Sequence, residues 1–231
     1  MHTSNNITDK GASVQPVFKM HALNNVRGKL VLQKTEKGAH EMLLSYIQRF
    51  SSKSLSEWEK DQIRKACKIK LLRRRQYLLQ QGDICKCVGF IIQGATRMYS
   101  INERGQEAII SFCVEEDWVA DQESLALQLP SLYHIEAVED TVMLLIPLSH
   151  LQLLSAIVPT VEQMVSINYR QQYIATQKRI HAAISMTAEE QYLYMLTCNP
   201  EYMQRFSQNM IAAYLGIKPE TLSRVRTKMD H

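Results

Sequence analysis

Several features that a chain of this length could carry are missing. No apolar run approaches the roughly 18 residues that cross a bilayer. The opening MHTSNNITDKGAS lacks the charged-then-apolar pattern of a secretory signal. The expectation is a protein of the cytoplasm with no membrane partner. The five cysteines, Cys67, Cys85, Cys87, Cys113 and Cys198, are odd in number and widely spread. That argues against a disulfide framework and fits a reducing compartment. Only Cys85 and Cys87 are close, and the nearest histidine in sequence is His40, so buried or idle thiols are expected rather than a metal or iron-sulfur site. His134, His150 and His181 stand far apart, and no His-x-His pair with a downstream carboxylate occurs. Neither an enzyme nor a bound cofactor is expected.

What is present is concentrated at the end. The net charge of +4 is unevenly distributed: Arg205, Lys218, Arg224, Arg226 and Lys228 face a single acid, Glu220. A compact positive end points to a polyanion partner. The stretch FSQNMIAAYLGIKPETLSRVRTKMD reads as a short amphipathic helix, a turn at Leu215-Gly216-Ile217 and a second, basic helix. That is the outline of a helix-turn-helix. Ala212 supplies the small side chain needed where two helices cross, and Gly216 can adopt a turn conformation that a β-carbon penalises. Ile211, Leu215, Ile217, Leu222 and Val225 fall inward, Ser207 is placed to cap the first helix, and Pro219 suits the first position of the second. The outward set is then Lys218, Glu220, Thr221, Ser223 and Arg224, with Thr227 at its margin. Arginine and glutamate can read guanine and cytosine edges, while Ser207, Gln208, Arg226 and Lys228 are better placed for phosphates.

The preceding chain divides by pattern. Residues 1–38 show no sustained period and read as a loose extension. Leu44, Ile47 and Phe50 begin a helical pattern near Glu41, so Met42 is an alternative start. Ser54-x-x-Glu57 reads as a capping box for the next helix. From about Lys68 to Pro147, short runs rich in Ile, Val, Phe and Tyr alternate with turn residues, the mark of an all-β sandwich or jelly roll. Strands are expected near 68–74, 76–80, 87–92, 95–102, 107–114, 133–138 and 141–146. Ile110, Phe112 and Val114 should share a core face, as should Val142, Leu144 and Ile146. The segment EEDWVADQESLALQLPSLY is too long for a hairpin and could hold a short helix around Ser124 to Leu129. Arg73-Arg74-Arg75 invites reading as a nucleic-acid patch, but on a strand its members alternate faces and a charged sheet edge is the expectation. A helix of about seven turns starts at Pro159, too long to bury its whole length against one small domain, so pairing with a second copy is expected. Thr187-x-x-Glu190 caps one more helix before the closing pair. The fold class is therefore α+β: an antiparallel jelly roll with flanking helices, a long dimer helix and a C-terminal helix-turn-helix.

That order, with the strings GFIIQGATRMYSINERGQEAIISF and AAYLGIKPETLSRVR, resembles the CRP/FNR family of bacterial transcription regulators over roughly residues 41–229. The resemblance implies a cyclic-nucleotide-binding-like sensor domain at 39–158, a dimerisation helix at 159–185 and a DNA-binding domain at 186–231, in a short form without the β-hairpin wing. It implies double-stranded DNA as partner, a homodimer, a small-molecule effector, and base reading by Pro219, Glu220 and Arg224. Members that bind cyclic AMP present a Gly-Glu pair for the ribose and an arginine for the phosphate. Here Trp118 to Ser124 contains no glycine and Ser131 to Ile135 no arginine, so cyclic AMP in the usual mode is not expected. Trp118, Asp121, Glu123, Ser124, Tyr133 and His134 either line a pocket for another effector or belong to a pocket filled by side chains. The alternative function is a small-molecule-binding or protein-interaction module without DNA binding.

Overall fold

The computed structural model describes residues 26–229, with side chains from residue 36 onward. The described residues from Glu36 onward form one compact unit. The first 25 residues of the expected loose extension lie outside the described residues, and from Val26 the chain is already helical, in α1 (Val26–Gln48). Ala39, Leu43, Leu44 and Ile47 form the buried stripe of this helix, so Met42 sits within it. Helix α2 (Glu57–Ala66) carries a capping box, but its members are Ser56 and Glu59 rather than Ser54 and Glu57. Leu55, buried just before the cap, fixes where the chain can turn into the helix.

Eight strands follow: β1 (Lys68–Leu72), β2 (Tyr77–Leu79), β3 (Cys87–Gln93), β4 (Thr96–Ile101), β5 (Glu107–Cys113), β6 (Trp118–Val119), β7 (His134–Ala137) and β8 (Thr141–Pro147). They make two four-stranded antiparallel sheets, β1-β8-β3-β6 and β2-β7-β4-β5, as a jelly roll requires. Ile91, Ile135 and Met143 are fully buried between them, while Phe90, Leu144 and Ile146, on the other face of β3 and β8, are fully buried on the side where Phe90 meets Tyr46 of α1. Strand β6 has only two residues, too few for alternation to reveal it.

Two expectations are corrected within this sandwich. The first concerns β5, which pairs Met98 with Ser111 but Tyr99 with Ile109, so Ile110 is a bulge. The bulge resets the alternation: Ile109 and Phe112 point outward together, Cys113 faces the sandwich core, and Ile110 and Val114 are only half-buried. The second concerns the arginine triplet. Strand β1 ends at Leu72, so Arg73, Arg74 and Arg75 form an exposed turn rather than alternating on a strand.

The insertion forms α3 (Gln122–Leu127), two residues earlier than expected, because Asp121 and not a later residue caps it. The helices α4 (Leu148–Ile157), α5 (Pro159–Ser185), α6 (Ala188–Cys198), α7 (Tyr202–Arg205), α8 (Gln208–Leu215) and α9 (Pro219–Met229) complete the chain. At 27 residues α5 is about 40 Å long. Val161 and Met164 bury its first turns, and beyond them only Ala182 is buried. A second core forms where Tyr99, Ile109 and Phe112 on the outward side of β4 and β5 meet Tyr192, Met195, Tyr202, Phe206, Ile211, Ala212 and Leu222. No described helix is long and apolar enough to cross a membrane.

Gly94, between β3 and β4, has φ +102, and a β-carbon there would stand 2.5 Å from Thr141 Oγ1, 2.6 Å from Thr141 Cα and 2.7 Å from the Asp140 carbonyl. Two of those neighbours are backbone and cannot swing aside. Gly94→Ala should destabilise the protein by about 3 kcal/mol or more, measured by urea unfolding.

Candidate nucleic-acid interface and effector cleft

The interface is built outward from one crossing. Ala212 on α8 and Leu222 on α9 are fully buried against each other's helices, with Ile211 beside them. Gly216 takes φ +69 at the C-terminus of α8, and the Ile217 amide donates back to the Ala212 carbonyl. A left-handed residue at this place turns the chain sharply enough for α9 to cross. Ser207 caps α8 by accepting from the Met210 amide at 3.3 Å, which leaves its O–H able to donate. With Leu222 inward, the other side of α9 is open: Lys218, Pro219, Glu220, Ser223 and Arg224 are exposed, as is Gln208 at the start of α8. Arg226 is half-buried. Lys228 is exposed but its ammonium lies 2.7 Å from Glu189 on α6.

One member of the basic cluster plays a different part. Arg205 makes ion pairs with Glu115 and Glu139, in the loops after β5 and β7. It therefore clamps the terminal helices to the jelly roll and is withdrawn from any polyanion. Beside it Phe206 stacks on Phe112, ring centroids 3.8 Å apart, and Tyr202 and Tyr214 pack around the same ring. Sequence reading missed this contact because the β5 bulge that turns Phe112 outward leaves no mark in the hydrophobic pattern. Glu115 also accepts the Gly94 amide at 2.8 Å. Burial pushes its carboxyl upward, but Arg205 and the Gly94 amide pull harder and hold it below the ordinary range.

A cleft of about 650 Å³ lies between the jelly roll, α5 and the terminal helices. Met98, Ser111, Cys113, Trp118, Gln122 and Thr176 are among its walls. The cation on this lining, Arg179, donates to the carbonyls of Ile109, Ile110 and Tyr214 and lies over the Tyr214 ring. It has little left to offer a phosphate. Of the residues expected around an effector, only Trp118 lines the cleft. Asp121 is buried and committed, accepting from the amides of Glu123 and Ser124 and from the Ser131 hydroxyl at 2.7 Å. Ser124 is equally engaged, with the Cys85 amide and the Leu129 carbonyl. Glu123 is exposed. The Tyr133 amide donates to Ser131. His134 stands on the outward side, between Tyr77 and Tyr99, accepting the Gln81 amide on Nδ1. The structure therefore does not gather these six residues around one cavity. The helix end that could have met an anion is closed by the chain's own carboxylate, a poor fit for a cyclic nucleotide phosphate.

All five cysteines are free, and burial pushes the Cys67 and Cys113 thiols up to about 12. Thiols protonated so firmly are poor nucleophiles and poor metal ligands.

Residues 69–156 match the family model of the cyclic nucleotide-binding domain. No curated protein matches the chain in sequence. Among solved structures, FixK2 from Bradyrhizobium japonicum is 20% identical with a TM-score of 0.60, over 71% of this chain and 84% of that one. The c-di-GMP-responsive global regulator CLP of Xanthomonas campestris is 14% identical with a TM-score of 0.62, over 76% and 92%. A protein of Eubacterium rectale assigned to the CRP/FNR family of transcriptional regulators is 14% identical with a TM-score of 0.59, over 79% and 88%. The resemblance to the CRP/FNR family is thus borne out in fold: this chain shares the architecture of those regulators.

The Arg205 clamp has a pH signature. A carboxylate held below its ordinary 4.5 contributes stability that is present above that value and lost as pH falls through the lowered one. Arg205→Ala should cost about 1 kcal/mol at neutral pH, solvent screening of the partly exposed glutamates limiting the loss. The gap in melting temperature between variant and parent should narrow as pH falls below 4.5 and through the lowered value of Glu115. Scanning calorimetry across that range checks both.

Proposed function

We propose that the protein is a sequence-specific, DNA-binding transcription regulator of the CRP/FNR type, acting as a homodimer. The observation that carries this reading is the outward face of α9. Lys218, Glu220, Ser223 and Arg224 are all exposed on a helix held by a buried small-residue crossing and a glycine turn, as a major-groove reader requires.

Dimerisation through α5 is supported by an exposed stripe that runs from its middle to its end. Tyr169, Tyr173, Ile180 and Ile184 are 50, 65, 55 and 79% exposed. They are spaced by four, seven and four residues, which places them on one side of the helix. A second copy covering that stripe would remove it from water and set two α9 helices about a two-fold axis. Within each protomer, residues 39–158 act as the sensor, 159–185 as the dimer helix and 186–231 as the reader.

Coupling between sensor and reader runs through the short loop after β5. Trp118 and Asp117 line the cleft, and Glu115, two residues earlier, holds Arg205. Asp117 also fixes the loop by accepting the Val114 amide at 2.8 Å. An effector that moved Trp118 would therefore move the anchor of α7, shifting the balance between two placements of the reader. The effector is a molecule other than cyclic AMP, since the cleft's cation is engaged and the α3 cap is internally filled.

Selection from a random duplex library at physiological salt should enrich a palindromic motif. Arg224→Ala should relax preference at one position of each half-site, by about 1–3 kcal/mol of discrimination. Lys228→Ala should weaken all sequences alike and flatten the salt slope by about 1 or less per protomer, Glu189 already sharing its charge. An unchanged motif in the Arg224 variant would remove that residue from the reading face.

A further inference from the structure

Three acids in a row, Glu115, Glu116 and Asp117, follow β5, and two of them have a cation of their own. Glu115 is paired with Arg205, and Glu116 with Arg49 at 2.7 Å. Asp117 is different: among the described residues no lysine, arginine or histidine lies within ion-pair distance of it. One of its carboxylate oxygens accepts the Val114 amide at 2.8 Å, and among the described residues no donor reaches the other. Burial pushes its carboxyl above the ordinary range, and Glu201, Glu115 and Glu116 push it the same way, against the pull of the Val114 amide. The acid left without a partner is also the one of the three that stands in the wall of the cleft.

The rest of that wall favours one class of ligand. Phe112, Trp118, Tyr202 and Tyr214 supply aromatic surface, and Met98 and Ile180 aliphatic surface. Among the described residues one other charged side chain, Arg179, lines the cleft, and it is not paired with Asp117. Its donors go to the carbonyls of Ile109, Ile110 and Tyr214. An anion in the cleft would therefore meet an unmatched carboxylate and a cation whose donors are largely taken. An ammonium would meet a free acceptor and aromatic faces, both of which attract it. We propose that the effector is an organic cation, a primary amine carried on an aromatic or branched apolar body, whose ammonium pairs with Asp117. This inference rests on the function proposed above in taking the cleft as the effector site, and it gives that effector a charge. A volume of about 650 Å³ suits a molecule of that size.

The test uses the full chain and needs no DNA. The sequence holds two tryptophans, Trp58 and Trp118, and Trp58 is 56% exposed. In a Trp58→Phe background the emission of Trp118 reports on the cleft. Three probes of similar shape are titrated: phenethylamine, 2-phenylethanol and phenylacetate. The ammonium should bind about 10- to 100-fold more tightly than the alcohol, and the carboxylate most weakly. Asp117→Asn keeps an acceptor for the Val114 amide and removes the charge. It should bind the ammonium no better than the alcohol, with affinity for the alcohol unchanged to within about twofold. Glu116→Gln, which frees Arg49 instead, should keep the ammonium's advantage and so separates contact with Asp117 from a general negative potential. Matching melting temperatures show that each variant is folded; if Asp117→Asn fails that check, the order of the three probes on the parent decides alone. Equal binding of ammonium and alcohol, no binding of the ammonium, preference for the carboxylate, or an advantage that survives Asp117→Asn would each overturn the proposal. Ammonium binding at Asp117 by a protein that selects no duplex would uphold it, and the reading of α9 would fall instead.

Discussion

The structure depends on the contact between the outward side of β5 and the terminal helices. Phe112 is the pivot. It lies in a sheet whose inner side fills the jelly roll, yet it stacks on Phe206 and touches Tyr202 and Tyr214. Aromatic pairs of this kind contribute about 0.5–1.5 kcal/mol beyond their buried area. Their larger effect here is geometric. The same ring surface fixes where α7 and α8 begin, and the Ala212–Leu222 crossing then fixes where α9 points. Arg205 adds an electrostatic restraint at the edge of this contact, through Glu115 and Glu139. Apolar stacking sets the position and the ion pairs limit rotation about it.

A helix fixed in this way can be moved only through the loops that hold it. The loop after β5 is short, carries Glu116 at φ +68, and is tied by Asp117 to the Val114 amide. It has little slack. A displacement at Trp118, in the wall of the cleft, would be passed along it rather than absorbed. The α3 cap is filled by Asp121, so what such a displacement would pass to α9 does not depend on a phosphate bound there.

The sequence displayed some of this more clearly than the rest. Ser207, Ala212, Gly216 and Leu222 could be read directly, because a cap, a close crossing, a left-handed turn and an inward apolar residue each have a local chemical requirement. The run of strands from Lys68 to Pro147, the proline at the start of α5 and the capping box at Thr187 were legible for the same reason. What escaped notice was non-local. The bulge at Ile110 exists only relative to the partner strand β4, and it reversed the expected facing of Phe112. Arg205 looked like one more positive charge until its carboxylate partners, distant in sequence, were brought to it. Arg73 to Arg75 were expected on a strand because nothing local marks the end of β1. The residues expected around an effector were assembled by proximity in sequence, whereas the cleft draws on strands and helices far apart along the chain.

Hydroxyl-radical footprinting of the full chain on its selected duplex tests the central claim most directly. Two α9 helices related by a two-fold axis should protect two stretches of backbone on one side of the duplex, centred about one helical turn apart. A single continuous protected stretch, or none, would contradict the assignment of α9 as the reader of a symmetric site.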